Sequence, residues 1–163
     1  MTDVHPDFPL PDVDAPLGRG FWAAAARGEL AVPRCDRCAR WVWYPTQDCR
    51  SCSSSELTWT TTAGRGTLFS WTEVRRALLP EYSGLVPYVA ALVALDEDPA
   101  VRIVTRMVDV DPDALVGDMP VKAVFRPIWF GDPATSVVAP LFVPTSVVGA
   151  TDLPPSPESA RAR

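Results

Sequence analysis

The chain has very few of the side chains that most enzymes use to move protons. Its 163 residues include one histidine, His5, and one lysine, Lys122, against 14 arginines. His5 lies in a proline-rich stretch near the start, so no imidazole is available to a folded core as base or ligand. General acid–base catalysis uses histidine most often, and Schiff-base chemistry needs a lysine amine. An independent enzyme built on this chain would have to rely on carboxylates, hydroxyls or a metal. Long apolar runs are also missing: the longest, Val89–Leu95, is far below the ~20 residues that span a bilayer. The start of the chain carries acids and prolines where a secretory leader has a basic segment and an apolar one. The chain is therefore expected to be soluble and cytoplasmic, a compartment in which its four cysteines are not expected to form disulfides. A net charge of −5 argues against nucleic acid as the default partner.

What is present is an ordinary globular mixture, 47 % hydrophobic and 21 % charged, of a length that suits one domain or two small modules sharing a core. Residues 1–17 hold Pro6, Pro9, Pro11 and Pro16 among four aspartates and read as a flexible arm. Residues 147–163, with Pro154, Pro155 and Pro157, read as a flexible tail. Between them, residues 18–62 are expected to form a helix and a cysteine-rich ribbon, and residues 63–146 a barrel. Phe21–Arg27 is rich in helix formers and is followed by Gly28, a natural stop. From Gly64 the pattern turns to strands. Gly66–Val74 carries Phe69 and Trp71 at period two, and Tyr88–Leu95 is a continuous apolar run of strand length. Val101, Ile103 and Met107 alternate with Arg102, Val104 and Arg106, and Val121, Ala123 and Phe125 alternate with Lys122, Val124 and Arg126. Each first-named set is expected to point inward. Val137–Val143 is a last strand, which Pro140 assigns to an edge or a bulge.

Asp111–Gly117 fits a short helix between the third and fourth of these strands. Asp111 is a good cap, Pro112 suits the first helical position, and Gly117 can take a left-handed stop. A five-stranded OB-type barrel with its helix at that point is the predicted architecture. Asp96-Glu97-Asp98-Pro99 reads as the hairpin turn between the second and third strands rather than as a metal or catalytic cluster.

The strongest chemical signal is a pair of C-x-x-C motifs, Cys35-Asp36-Arg37-Cys38 and Cys49-Arg50-Ser51-Cys52. Two such turns can close a tetrahedral shell of four thiolates, soft ligands that favour zinc. Four protein ligands leave no position for water or substrate, so the metal would be structural. A rubredoxin-type iron site shares the geometry, but Ala39 and Ser53 stand where glycine commonly follows each pair, and neither pair contains proline. A thioredoxin-like redox pair needs a helix start within a βαβ pattern, which this stretch lacks.

With these features in order, the chain resembles the zinc-ribbon plus OB-fold proteins first catalogued as a domain of unknown function, companions of thiolase-fold enzymes that act on acyl-CoA. The matching pieces are Phe21-Trp22, Gly28-Glu29-Leu30, the first cysteine pair from Arg34, Tyr44-Pro45, Gly64–Thr72, Pro87–Asp96, Val108–Pro112 and Gly117–Val121. The resemblance implies a mainly β protein with an N-terminal helix, a rubredoxin-like zinc ribbon and a five-stranded OB barrel. It implies structural zinc on Cys35, Cys38, Cys49 and Cys52. It further implies a non-catalytic subunit of an acyl-CoA aldolase or thiolase complex that stabilises its partner or helps hold the CoA thioester, with steroid side-chain degradation as one setting. Phe21, Trp22, Trp41, Trp43 and Tyr44 are the residues expected to bind the partner, because large aromatics dominate interface energies. Two departures stand out: the absent glycines after the cysteine pairs, and Val143 where the family pattern has arginine, a change that bears on a partner contact. Residues 17–76 carry nine arginines against five acids, a basic half suited to phosphate or to an acidic partner surface. The competing readings are an OB-fold and zinc-ribbon nucleic-acid binder, against which the acidic balance weighs, and an independent enzyme.

Overall fold

In a computed structural model, which describes residues 10–130 and 134–146, one helix and a two-stranded ribbon stand against a closed barrel. His5 and the expected tail of 147–163 lie outside the described residues. Residues 10–17 of the expected arm include a turn, with Asp14 N–H bonded to Asp12 Oδ1 at 3.0 Å, and Leu10 is buried. Helix α1 spans Arg19–Ala25, starting two residues before the expected span because Gly18 and Arg19 already donate to the Ala15 carbonyl. It ends at Ala25, two residues before the expected Arg27, and the turn that follows closes at Gly28, whose φ of +75° favours glycine as expected. Gly20 is needed for a different reason. The indole of Trp59 occupies the space a Cβ would fill, so the helix lies directly on the ribbon.

Strands β1 (Ala31–Cys35) and β2 (Leu57–Thr61) pair antiparallel and form the stem of the ribbon. The barrel contains β3 (Arg65–Val74), β4 (Tyr88–Leu95), β5 (Arg102–Met107), β6 (Pro120–Ile128) and β7 (Val137–Pro144). Its order is β3-β4-β5-β7-β6, closed by antiparallel pairing of β3 with β6 and by one parallel contact between Met107 and Phe142. This is the mainly β, five-stranded OB arrangement the sequence led us to expect. Leu68, Val93, Ile103, Val121 and Phe142 fill the interior, each 1 % exposed or less. Leu30 and Val32 from the ribbon stem join the same core, so ribbon and barrel share one apolar centre.

Several local readings need correction. Val101, Ile103, Met107 and Val121 point inward as expected, and Ala123 and Phe125 pack on the same core from a part-buried position. Val124, placed on the outward set by alternation, is 2 % exposed. It joins Ala139, Leu141 and Val143 in a second cluster under Trp22, because α1 covers that side of the barrel. Phe69 and Trp71 do not share a face. A bulge between Leu68 and Ser70 shifts the register, leaving Phe69 outside under the Arg102 guanidinium (3.7 Å to the ring centre) while Trp71 packs on the core. The expected helix at Asp111–Gly117 is a single 3₁₀ turn, Pro112–Ala114. Asp111 does cap it, accepting from Asp113 N–H at 3.0 Å, but Leu115 turns extended to reach the core and Asp118, not Gly117, takes the left-handed position. Pro140 behaves as its missing N–H requires. On one side β7 runs the length of β6. On the other it meets β5 at one register pair, and the Pro140 carbonyl takes a bond from Thr105 Oγ1 at 2.9 Å.

Candidate functional site: a four-thiolate metal centre

The two cysteine pairs form near-copies of one turn. Cys35, the last residue of β1, donates its N–H to the Arg40 carbonyl at 2.9 Å, and Ala39 donates back to the Cys35 carbonyl at 2.8 Å. Fourteen residues on, Cys49 donates to Ser54 at 2.8 Å and Ser53 donates back to Cys49 at 2.8 Å. In each turn the residue after the second cysteine is left-handed, with φ +61° at Ala39 and +55° at Ser53. The family pattern's glycines serve this conformation. This chain adopts it without them, at a cost of roughly 1–2 kcal/mol per residue. Neighbouring bonds hold the first turn in place: Asp36 N–H to the Glu56 carbonyl at 3.0 Å, Thr58 Oγ1 to Asp36 Oδ2 at 2.8 Å, and Arg34 Nε to the Ala39 carbonyl at 2.9 Å.

The turns bring Cys35, Cys38, Cys49 and Cys52 together with all four sulfurs within 4.8 Å of one another. Two cross-pairs, Cys35–Cys52 and Cys38–Cys49, stand at 3.6 Å. Zinc–sulfur bonds of about 2.3 Å in a tetrahedron set the sulfurs about 3.8 Å apart, so the group fits such an ion. Cys35 and Cys49 are buried, and Cys38 and Cys52 are part-buried. The Ser51 backbone N–H lowers the Cys49 thiol to about 6 against the opposing effect of burial. At Cys52 the Ser54 N–H also pulls down, but burial and the thiols of Cys35, Cys38 and Cys49 outweigh it and raise that proton's pKa to about 12. Sulfurs packed this closely cannot all be thiolates without a cation between them. A closed shell of four thiolates leaves no open coordination site and suits a structural ion.

The five aromatics expected to face a partner divide. Phe21, Trp41 and Trp43 pack partly buried against the shared core. Trp43 also donates its indole N–H to the Arg102 carbonyl at 2.9 Å, which pins the ribbon to β5. Phe21 lies 5.5 Å from Trp43, and Arg34 covers Trp41 at 5.5 Å. Trp22 stands edge-on to Phe21, over the second cluster. Tyr44, stacked on Trp43 at 5.1 Å, is the exposed member. The acidic stretch Asp96–Asp98 is a turn, as read from the sequence, with Glu97 Oε1 accepting from Ala63 N–H at 2.6 Å and Asp98 Oδ1 from Ala100 N–H at 2.9 Å.

A rubredoxin-like ribbon with a four-thiolate centre, fused through a shared core to a closed OB barrel, defines a two-module metal-binding class. Family models specify it further: residues 22–58 match the ChsH2 rubredoxin-like zinc ribbon domain, and residues 59–126 match the ChsH2 C-terminal OB-fold domain. The chain belongs to this ChsH2 zinc-ribbon and OB-fold family, and its metal is structural zinc. Among solved structures it is similar to a chain of an Ltp2-ChsH2(DUF35) aldolase, at 27 % identity and a TM-score of 0.70, over 83 % of this chain and 98 % of that one. It also resembles a DUF35-family protein of unknown function from Sulfolobus solfataricus, at 13 % identity and a TM-score of 0.52, over 82 % and 88 % of the two chains, a likeness of fold. No curated protein sequence matches it. Among the described residues no helix is long and apolar enough to cross a membrane.

Proposed function

We propose that this chain is a non-catalytic accessory subunit of an acyl-CoA aldolase, binding a thiolase-fold, lipid-transfer-type partner that carries the chemistry. The observation that carries this reading is its likeness to the ChsH2 chain of an Ltp2-ChsH2(DUF35) aldolase, which extends over 98 % of that chain. The side-chain inventory supports it. Retro-aldol cleavage of a CoA thioester needs a base and a group that polarises the carbonyl. The chain's one histidine lies outside the described fold, and its thiols form the metal centre. Cys35, Cys38, Cys49 and Cys52 hold the zinc, which keeps the ribbon rigid. Tyr44 and the free edge of Trp22 meet the partner, while Phe21, Trp41 and Trp43 hold that face in place from behind. The subunit stabilises the enzyme or helps hold the CoA thioester, and steroid side-chain degradation is one setting for it.

Co-expression with a lipid-transfer-type aldolase encoded in the same genome tests the reading. The expected result is one gel-filtration peak containing both chains, with β-hydroxyacyl-CoA cleavage that neither chain shows alone. Full turnover by the aldolase alone, with no complex detected, would overturn it.

A further inference from the structure

Several arginines on this molecule have a partner in view. Arg27 pairs with Glu29, Arg75 with Glu73 and Arg126 with Asp109, while Arg102 caps Phe69 and Arg34 bonds a carbonyl beside Trp41. Arg106 differs. It sits part-buried on the outer face of β5, and among the described residues no carboxylate pairs with it. The charged or titratable groups that act on it are the phenols of Tyr82 and Tyr88, and burial lowers its pKa from the ordinary arginine value. A guanidinium partly removed from water without an anion is costly, and a perturbed cation set in a cleft is a candidate for binding one.

Two cavities meet at this residue. One, about 320 Å³, is walled by Trp22, Leu85, Tyr88, Val104, Ile128 and Leu141. The other, about 630 Å³, opens toward Glu81, Ser83, Pro127 and Trp129. Arg106, Leu85, Ile128 and Phe130 line both. The smaller one is in the size range of small-molecule sites, about 300–1,000 Å³. Its wall is apolar apart from Arg106, Thr105 and the two tyrosines. Val104 on the wall of the smaller cavity and Trp129 on that of the larger are both exposed apolar side chains, at 61 % and 41 %.

We propose that this groove binds an amphipathic organic monocarboxylate, with its carboxylate on the Arg106 guanidinium and its apolar body lying along Trp22, Leu85 and Ile128. Arginine offers a carboxylate two parallel N–H donors, and the apolar wall excludes the water that would compete. A flexible acyl chain fits a groove lined by aromatic and aliphatic side chains better than a second charged group would. All of the groove's lining residues belong to this chain, and Trp22 borders both the groove and the proposed partner face.

The test uses the full chain with decanoate and decanol as probes, followed by calorimetry and by tryptophan fluorescence, since Trp22 lines the groove. Decanoate is expected to bind saturably with a Kd below about 1 mM, and decanol at least tenfold more weakly. Arg106→Gln should bring the two probes to equal, weak affinity. Val104→Glu places a carboxylate two residues away on the same strand face, beside the guanidinium, and should compete with decanoate by at least tenfold while leaving the thermal melt unchanged. Absence of saturable decanoate binding, equal affinity for decanol, or unchanged binding in both variants would each overturn the proposal.

Discussion

Replacing Cys49 by serine should open the ribbon and leave the barrel standing. Apart from the cysteines, the ribbon's own cluster holds Val42 and Leu57, worth about 2 kcal/mol each for burial. Structural zinc in comparable ribbons contributes about 10–16 kcal/mol to folding. The metal therefore outweighs that apolar burial by a factor of about three, and Cys49, 2 % exposed and directly beside Cys38, is central to its shell. The consequence can be read by trypsin. Arg37, Arg40 and Arg50 are exposed within the two turns but are held in closed backbone rings that a protease cannot thread. If the substitution costs even a third of the zinc contribution, about 4 kcal/mol, cleavage at these sites should accelerate about a thousandfold. Excess chelator should reproduce this in the unsubstituted chain. Sites in the barrel, such as Arg126 on β6, should stay protected, because Leu68, Val93, Ile103, Val121 and Phe142 are carried by the barrel strands themselves, and Trp41 and Trp43 from the ribbon only cover that core from a part-buried position. The stem should hold as well, since Leu30 and Val32 are anchored in that core. Simultaneous cutting of ribbon and barrel would refute this two-part account, and unchanged cleavage would refute the dominance of the metal.

Three further outcomes are expected. Gly66→Ala should cost about 3 kcal/mol in a thermal or denaturant melt, because the added Cβ would collide with the Ala94 backbone carbonyl where β3 and β4 pair. Ala39→Gly and Ser53→Gly should each stabilise the chain by about 0.5 kcal/mol, the relief of a left-handed Cβ less the added freedom of glycine in the unfolded chain, visible as slower zinc loss to chelator. The Arg126 hydrogen bonds hold the Asp109 carboxyl below the usual carboxylate range, so this pair stabilises the fold above about pH 4 and that contribution fades as pH falls through the lowered folded-state value. With Asp109 41 % exposed the effect should be below about 1 kcal/mol, and Asp109→Asn should remove it from a comparison of melts at neutral and acid pH.

The chain order alone determined a great deal. Two C-x-x-C pairs prescribe a metal shell because each pair bends through a turn of set length, and that chemistry is local. Strand alternation placed Ile103, Met107 and Val121 in the core for the same reason, since a pleated backbone points successive side chains to opposite faces. Asp111 and Gly28 marked a cap and a stop through their own backbone preferences. Tertiary structure decided what alternation cannot encode. Val124 is buried because a helix a hundred residues earlier in the chain lies over the outer sheet face, and periodicity carries no information about a cover supplied from elsewhere. The bulge after Leu68 separates Phe69 from Trp71, a one-residue slip set by how β3 bends against β4. The aromatics of the ribbon could face a partner or fill a joint, and the meeting of Trp43 with the Arg102 carbonyl, 59 residues away, settled its share of that choice. Arg106 shows the same limit: as a letter in a strand it matched Arg102, and the loop carrying Tyr82 and Leu85 folded over one of them while a phenyl ring stacked against the other.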